Sequence, residues 1–146
     1  MAGLRATQLD RLQSVLNAAA RLIYGRRKYD HVTPLHRELH WLRVPERITF
    51  RLVTLVYRCQ HNMAPHYLVV QQHWASSIAS RQRLHSASAP DFIIPRSSRS
   101  TIIDRAFCVT VARAWNTLTP AVQSSESLTI FRCRLKTEMF LCSFPD

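Results

Sequence analysis

The sequence predicts a mainly α-helical domain of about five or six helices with one short extended segment. Apolar residues recur three and four apart along most of the chain, candidate caps and prolines stand where those runs begin, and glycine occurs only at Gly3 and Gly25. Hydrophobic residues make up 47% of the 146, so a single compact core is affordable and a wholly disordered chain is excluded.

From Thr7 to Tyr24, Leu9, Leu12, Leu16, Ala19, Ala20 and Ile23 fall at helical spacing, with Thr7 placed as a cap and Gly25 as a stop. Thr33 before Pro34 predicts a short helix through Leu35, Leu39 and Trp41. Pro45 opens a third helix, whose stripe Ile48, Leu52, Leu55, Val56 and Cys59 leaves Arg47, Arg51 and Arg58 largely to solvent, and Asn62 ends it. Pro65 starts another short helix carrying Tyr67 and Leu68. From Ser76 to Ser100 the composition turns to Ser, Ala, Arg and Pro, and Phe92, Ile93 and Ile94 read as a brief strand or hairpin arm. Asp104 caps a helix with Phe107, Val111, Trp115 and Leu118 on one face, ending before Pro120. After Ser127 comes a last helix with the face Leu128, Phe131, Leu135 and Met139. The expected organisation is a helical segment over 1–75, a linker or hairpin over 76–103 and two helices over 104–146, forming one domain overall. Trp41 and Trp115 are expected in its core.

The net charge is +11, and of the 20 basic residues only Lys28 and Lys136 are lysines. A guanidinium presents a planar fork of donors that suits phosphate and stacks on bases, so this bias points to a polyanion, with nucleic acid foremost. Surface solubility in an arginine-biased coding sequence is the plainer alternative. Cys59, Cys108, Cys133 and Cys142 contain no C-x-x-C pair, and reduced, mostly buried thiols in an intracellular protein, nuclear or cytoplasmic, are the expectation. No apolar run approaches the roughly 18 residues a membrane span needs, and no membrane association is expected.

A collinear series of short motifs runs along nearly the whole chain. Leu12-Gln13 is followed by Asn17-Ala18-Ala19-Ala20-Arg21-Leu22-Ile23, Asp30-His31-Val32-Thr33-Pro34, Arg37-Glu38-Leu39-His40-Trp41-Leu42 and Arg47-Ile48-Thr49-Phe50-Arg51-Leu52. Then come Ala64-Pro65-His66-Tyr67-Leu68, Ile94-Pro95-Arg96, Asp104-Arg105-Ala106-Phe107, Trp115-Asn116-Thr117-Leu118, and Phe131 with Leu135-Lys136-Thr137 and Phe140. In order and spacing the series resembles the region just beyond the polymerase core of LINE-type (non-LTR) retrotransposon reverse transcriptases. The resemblance implies a thumb-like and connecting region that helps hold template RNA and growing DNA within an RNA-directed DNA polymerase. It also makes a fragment the expectation, since Met1 falls where the family has an internal position. The chain departs from the family at Arg43-Val44-Pro45, where proline and arginine are exchanged, at Asn62 in place of a frequent glycine, and at the displaced Pro120. These departures fit tolerated drift and equally a decayed copy of an element without function.

No catalytic residue is expected in this stretch. Template-directed polymerisation needs clustered carboxylates to hold two metal ions, whereas the nine acidic residues are scattered and the Y-x-D-D motif is missing. No endonuclease motif, glycine-rich phosphate loop, cofactor or small-molecule substrate is indicated. His36 and His40, four apart with Glu38 between, have a zinc-compatible spacing but no third ligand, and packing or capping roles are expected of them. Of the tryptophans only Trp74, in a polar setting, is a candidate for stacking on bases.

The basic residues expected to touch phosphate are Arg21, Arg26, Arg27 and Lys28 at the end of the first helix and Arg47, Arg51 and Arg58 on the third, with Arg132, Arg134 and Lys136 as reserves. The expected partner is RNA or an RNA–DNA duplex, held without regard to sequence; a module that packs on a reverse transcriptase core with little nucleic-acid contact is the alternative. Given template, primer, nucleotides and magnesium or manganese, the purified chain should extend no primer, and extension that survives repurification would overturn this reading.

Overall fold

The computed structural model describes residues 5–70, 92 and 107–145. Seven helices occur among them: α1 (Ala6–Ile23), α2 (Thr33–Glu38), α3 (Val44–Gln60), α4 (His66–Val70), α5 (Phe107–Asn116), α6 (Pro120–Gln123) and α7 (Leu128–Ser143), with no strand among the described residues. The protein is therefore mainly α-helical. One helix more than expected arises because Pro120, read as a stop, also takes the first position of the one-turn α6, where its missing N–H costs nothing. The strand expected at Phe92, Ile93 and Ile94, the linker over 76–103, Asp104 and Trp74 lie outside the described residues, Phe92 excepted.

Helix α3 is the hub, packed against α7, α5, α1 and α4. Its buried residues are Val44, Val53, Val56, Tyr57 and Cys59, so the expected stripe is rotated: Ile48, Leu52 and Leu55 are only half-buried. Tyr57 takes the centre because its polar end is satisfied there. The hydroxyl donates to the Ser125 carbonyl at 2.8 Å, and the ring stacks on Phe131 with centroids 4.3 Å apart. Phe131 in turn stacks on Trp115 at 5.9 Å. On α7 the face Phe131, Leu135 and Met139 is buried as expected, with Leu128 partly so, and the Ser127 hydroxyl caps the helix by accepting from Ile130 N–H.

Trp115 is fully buried and meets the Phe92 ring edge-on at 6.1 Å. Its neighbour Asn116 grips the Phe92 backbone in both directions, accepting from its N–H and donating to its carbonyl, each at 2.9 Å. One side-chain amide thus satisfies both the donor and the acceptor of the Phe92 backbone. The core cluster draws on α3, Phe92, α5, α6 and α7 together, so the two expected helical segments share one core.

Three helices end alike. After α1, α2 and α3 the residues Gly25, His40 and Asn62 adopt φ of 59°, 50° and 54°, and the next N–H reaches back to Arg21, His36 and Arg58 respectively, closing a Schellman motif each time. Gly25 and Asn62 were expected as stops. His40 was not, and its turn ends α2 at Glu38, so that Trp41 lies beyond the helix and is half-buried rather than core. The starts also shift. The cap of α1 is Arg5, with Gln8 accepting from its backbone N–H, instead of Thr7, and the cap of α2 is Val32 instead of Thr33. Of the described thiols Cys59 is buried, but Cys133 and Cys142 are exposed, because both fall on the faces of α7 that α3 leaves open.

Replacing Trp115 by alanine should cost about 3–5 kcal/mol, the range for a fully enclosed large side chain, and Trp41→Ala distinctly less. Denaturant midpoints that rank the two variants the other way would contradict this placement.

Candidate nucleic-acid interface

Arg47, Arg51 and Arg58 are four and seven residues apart, which at 3.6 residues per turn sets them within about 40° of one another around α3. All three are exposed, on the side of the helix turned from its buried face. Arg132, from the first turns of α7, joins them, and the four arginines border an open groove of about 610 Å³. Its floor is Leu42, Phe50, Thr54 and Leu55. A second depression of about 340 Å³ shares Leu42, Arg47 and Phe50 and adds Trp41, His40 and Lys136, the residue one turn beyond Arg132. Neither lining contains an acidic residue.

Arg47 is the best-held of these cations. Its Nε donates to the Leu42 carbonyl at 3.1 Å, and its guanidinium lies 5.2 Å from the centre of the Trp41 ring, a cation–π arrangement that fixes the plane of the fork. The terminal nitrogens of Arg47, and the whole guanidinium groups of Arg51, Arg58 and Arg132, have no hydrogen-bond partner among the described residues. Donors left in this state at a surface can turn to an incoming anion without breaking an existing bond.

The remaining candidates sit elsewhere. Arg26, Arg27 and Lys28 are exposed in the turn after α1 and line neither depression. In that turn Asp30 accepts from Arg27 N–H at 2.9 Å. Arg21 is half-buried, its Nε donating to the Asp30 carbonyl at 3.1 Å, a latch across the turn more than a free cation. Arg134 lines neither depression and donates to the Ala121 carbonyl at 2.8 Å. Of the expected set the structure brings together Arg47, Arg51, Arg58, Arg132 and Lys136. Phe50 and Trp41 line the same space, Phe50 where the sequence marks only a motif and Trp41 where it predicts a core residue.

A polar clamp sets the first turn of α3, where Arg47 stands. No side chain of the cap residue Arg43 satisfies that helix start; Gln13 of α1 accepts from Val44 N–H at 2.9 Å instead. Gln13 also donates to Asn17 Oδ1 at 2.9 Å, and His36 Nε2 lies 2.9 Å from the same oxygen. A carbonyl oxygen can only accept, so Nε2 carries the hydrogen, leaving Nδ1 buried without a partner. Burial first, then the charges of Arg47, Arg43 and Arg21, hold the His36 pKa below its ordinary value. His40, by contrast, is exposed beyond the helix end, stacked on Phe140 at 5.6 Å. The pair thus does not share a face, and no group of three potential metal ligands gathers among the described residues.

Among the described residues no helix is long and apolar enough to cross a membrane. No protein-family model, curated protein or solved structure matches the chain.

The depressed pKa of His36 has a definite sign in stability. As pH falls below about 6.5, the unfolded histidine takes a proton that the folded one refuses, so stability falls with pH until the folded pKa is reached. Denaturant melts should show this loss between neutral and mildly acidic pH, and His36→Gln should flatten it; an equal slope in the variant would remove His36 as its source.

Proposed function

We propose that the chain is a non-catalytic nucleic-acid grip, corresponding to the thumb-like and connecting region of the LINE-type reverse transcriptases it resembles. In this reading it helps hold an RNA template and its primer through phosphates, without reading sequence. The observation that carries it is the convergence of Arg47, Arg51 and Arg58 of α3 with Arg132 of α7 on one groove whose lining holds no acid. Cations that serve only solubility are usually interspersed with carboxylates. Four guanidinium groups facing a common space repel one another, and a polyanion is the partner that turns this repulsion into attraction.

A second reading, a module that packs on a polymerase core, is favoured by a different surface. On α1, Leu12, Val15, Leu22 and Ile23 are 49%, 69%, 83% and 57% exposed. Apolar side chains grouped on one helix suit a protein contact better than water. The two readings use separate surfaces.

Salt dependence separates them. Binding to RNA and to RNA–DNA hybrid should weaken steeply with salt, because each neutralised phosphate releases condensed counterion. Changing Arg51, Arg58 and Arg132 together to glutamine should lower the log–log slope by about two to three units if all three contact phosphate. The corresponding change of Arg26, Arg27 and Lys28 reports whether the turn after α1 lies on the same path. Unchanged slopes in both folded variants would leave only the packing module.

A further inference from the structure

The groove is not lined as a surface for phosphate alone. The apolar floor beside its arginines is made by the half-buried Phe50 and Leu55 with the buried Leu42, and Phe50 lines both this groove and the depression beside it. Phe50 is only half-buried although it packs against the core. A phosphate chain covers none of that floor, because phosphates stay with the charged rim. A duplex covers it poorly as well, since its bases are paired and stacked on one another and their faces are closed to a lateral surface. An unpaired strand differs in that it can turn base faces into a groove while its phosphates remain at the edge, and every base has such a face whatever the sequence.

The dimensions agree. Arg47 and Arg51 are separated by about 6 Å along the helix axis, and Arg51 and Arg58 by about 10 Å, which spreads the cations along a path of a few consecutive phosphates. The fixed plane of Arg47 over Trp41 holds one phosphate-binding fork at the end of the path.

We infer that the groove between α3 and α7 takes a single, unpaired nucleic-acid strand in preference to a duplex, with Phe50 as the surface on which a base rests. This rests on the phosphate-grip reading and adds which form of the polymer the groove selects. The test compares a short unstructured oligoribonucleotide with the hybrid it forms with its DNA complement, each titrated against the full chain over a range of salt. The unpaired strand should bind more tightly at every salt. Phe50→Leu, which keeps an apolar filling but removes the aromatic face, should weaken single-strand binding about fivefold or more, the lower end of base–aromatic stacking, and leave the salt slope and the hybrid affinity unchanged. Phe50→Ala should deepen the same loss. Thermal melts of both variants identify any general loss of folding, and Phe50→Leu alone decides if Phe50→Ala unfolds. Equal or tighter binding of the hybrid, or a Phe50→Leu effect of the same size on both polymers, overturns the single-strand inference while leaving the phosphate grip standing. Salt-insensitive binding to both polymers, or binding to neither, removes the grip itself and this inference with it.

Discussion

The contact between Tyr57 and Phe131 fixes the relation of the two helices from which the groove is made. The rings lie 4.3 Å apart and 26° from parallel, and the phenol is tied to a carbonyl 68 residues further along the chain. Offset stacking adds specific geometry to a burial that is otherwise indifferent to register, and the hydroxyl contributes direction, because a buried O–H without its acceptor is costly. Slide α7 by one turn and Phe131 leaves Tyr57 and Arg132 leaves its place in the groove. The placement of a surface cation is in this way decided by an interior aromatic pair.

That pair also has something to resist. Arg47, Arg51, Arg58 and Arg132 stand around one space with no carboxylate in its lining, and each brings charge that opposes the approach of α7 to α3. At a wetted surface such repulsion is modest and screened by salt, whereas fully buried Trp115, Tyr57, Phe131 and Leu135 act in the opposite sense with area that salt does not screen. The arrangement is locally unfavourable and globally tolerated, because the buried aromatic contacts outweigh a screened surface repulsion.

Sequence pattern exposes the helices well and their orientations less well. The face of α7 was legible because Phe131, Leu135 and Met139 are apolar at four-residue spacing against polar neighbours. The face of α3 was misjudged by a fraction of a turn because nearly every position between Val53 and Cys59 is apolar or amphipathic, so periodicity alone does not say that Tyr57 outranks Leu55 for the centre. Apolar helical neighbours place Trp41 in the core, yet the left-handed turn at His40 carries it out, and a histidine marks such a turn less strongly than the glycine and asparagine that end α1 and α3. In the site, the outward side of α3 was legible from Arg47, Arg51 and Arg58. That Arg132 joins them and Arg134 does not was illegible, since the two flank the same apolar stripe and only the packing of α7 on α3 tells them apart.

The motifs behind the resemblance divide unevenly between these roles. Gln13 and Asn17 build the clamp that supplies an acceptor to the first turn of α3, Asp30 receives Arg27 and Arg21 across the turn after α1, and Trp115 with Asn116 encloses and grips Phe92. These are jobs of scaffolding. Arg47, Phe50 and Arg51 lie inside a motif, but Arg58 and Arg132 lie outside all of them. A chain that kept the motifs would keep the clamp, the latch after α1 and the Trp115–Asn116 grip, whereas Tyr57 lies outside them too, and the far half of the groove could be lost by changes that leave these parts untouched. Motif order speaks to the shape of this protein, and the presence of Arg58 and Arg132 speaks separately to the charge of the groove.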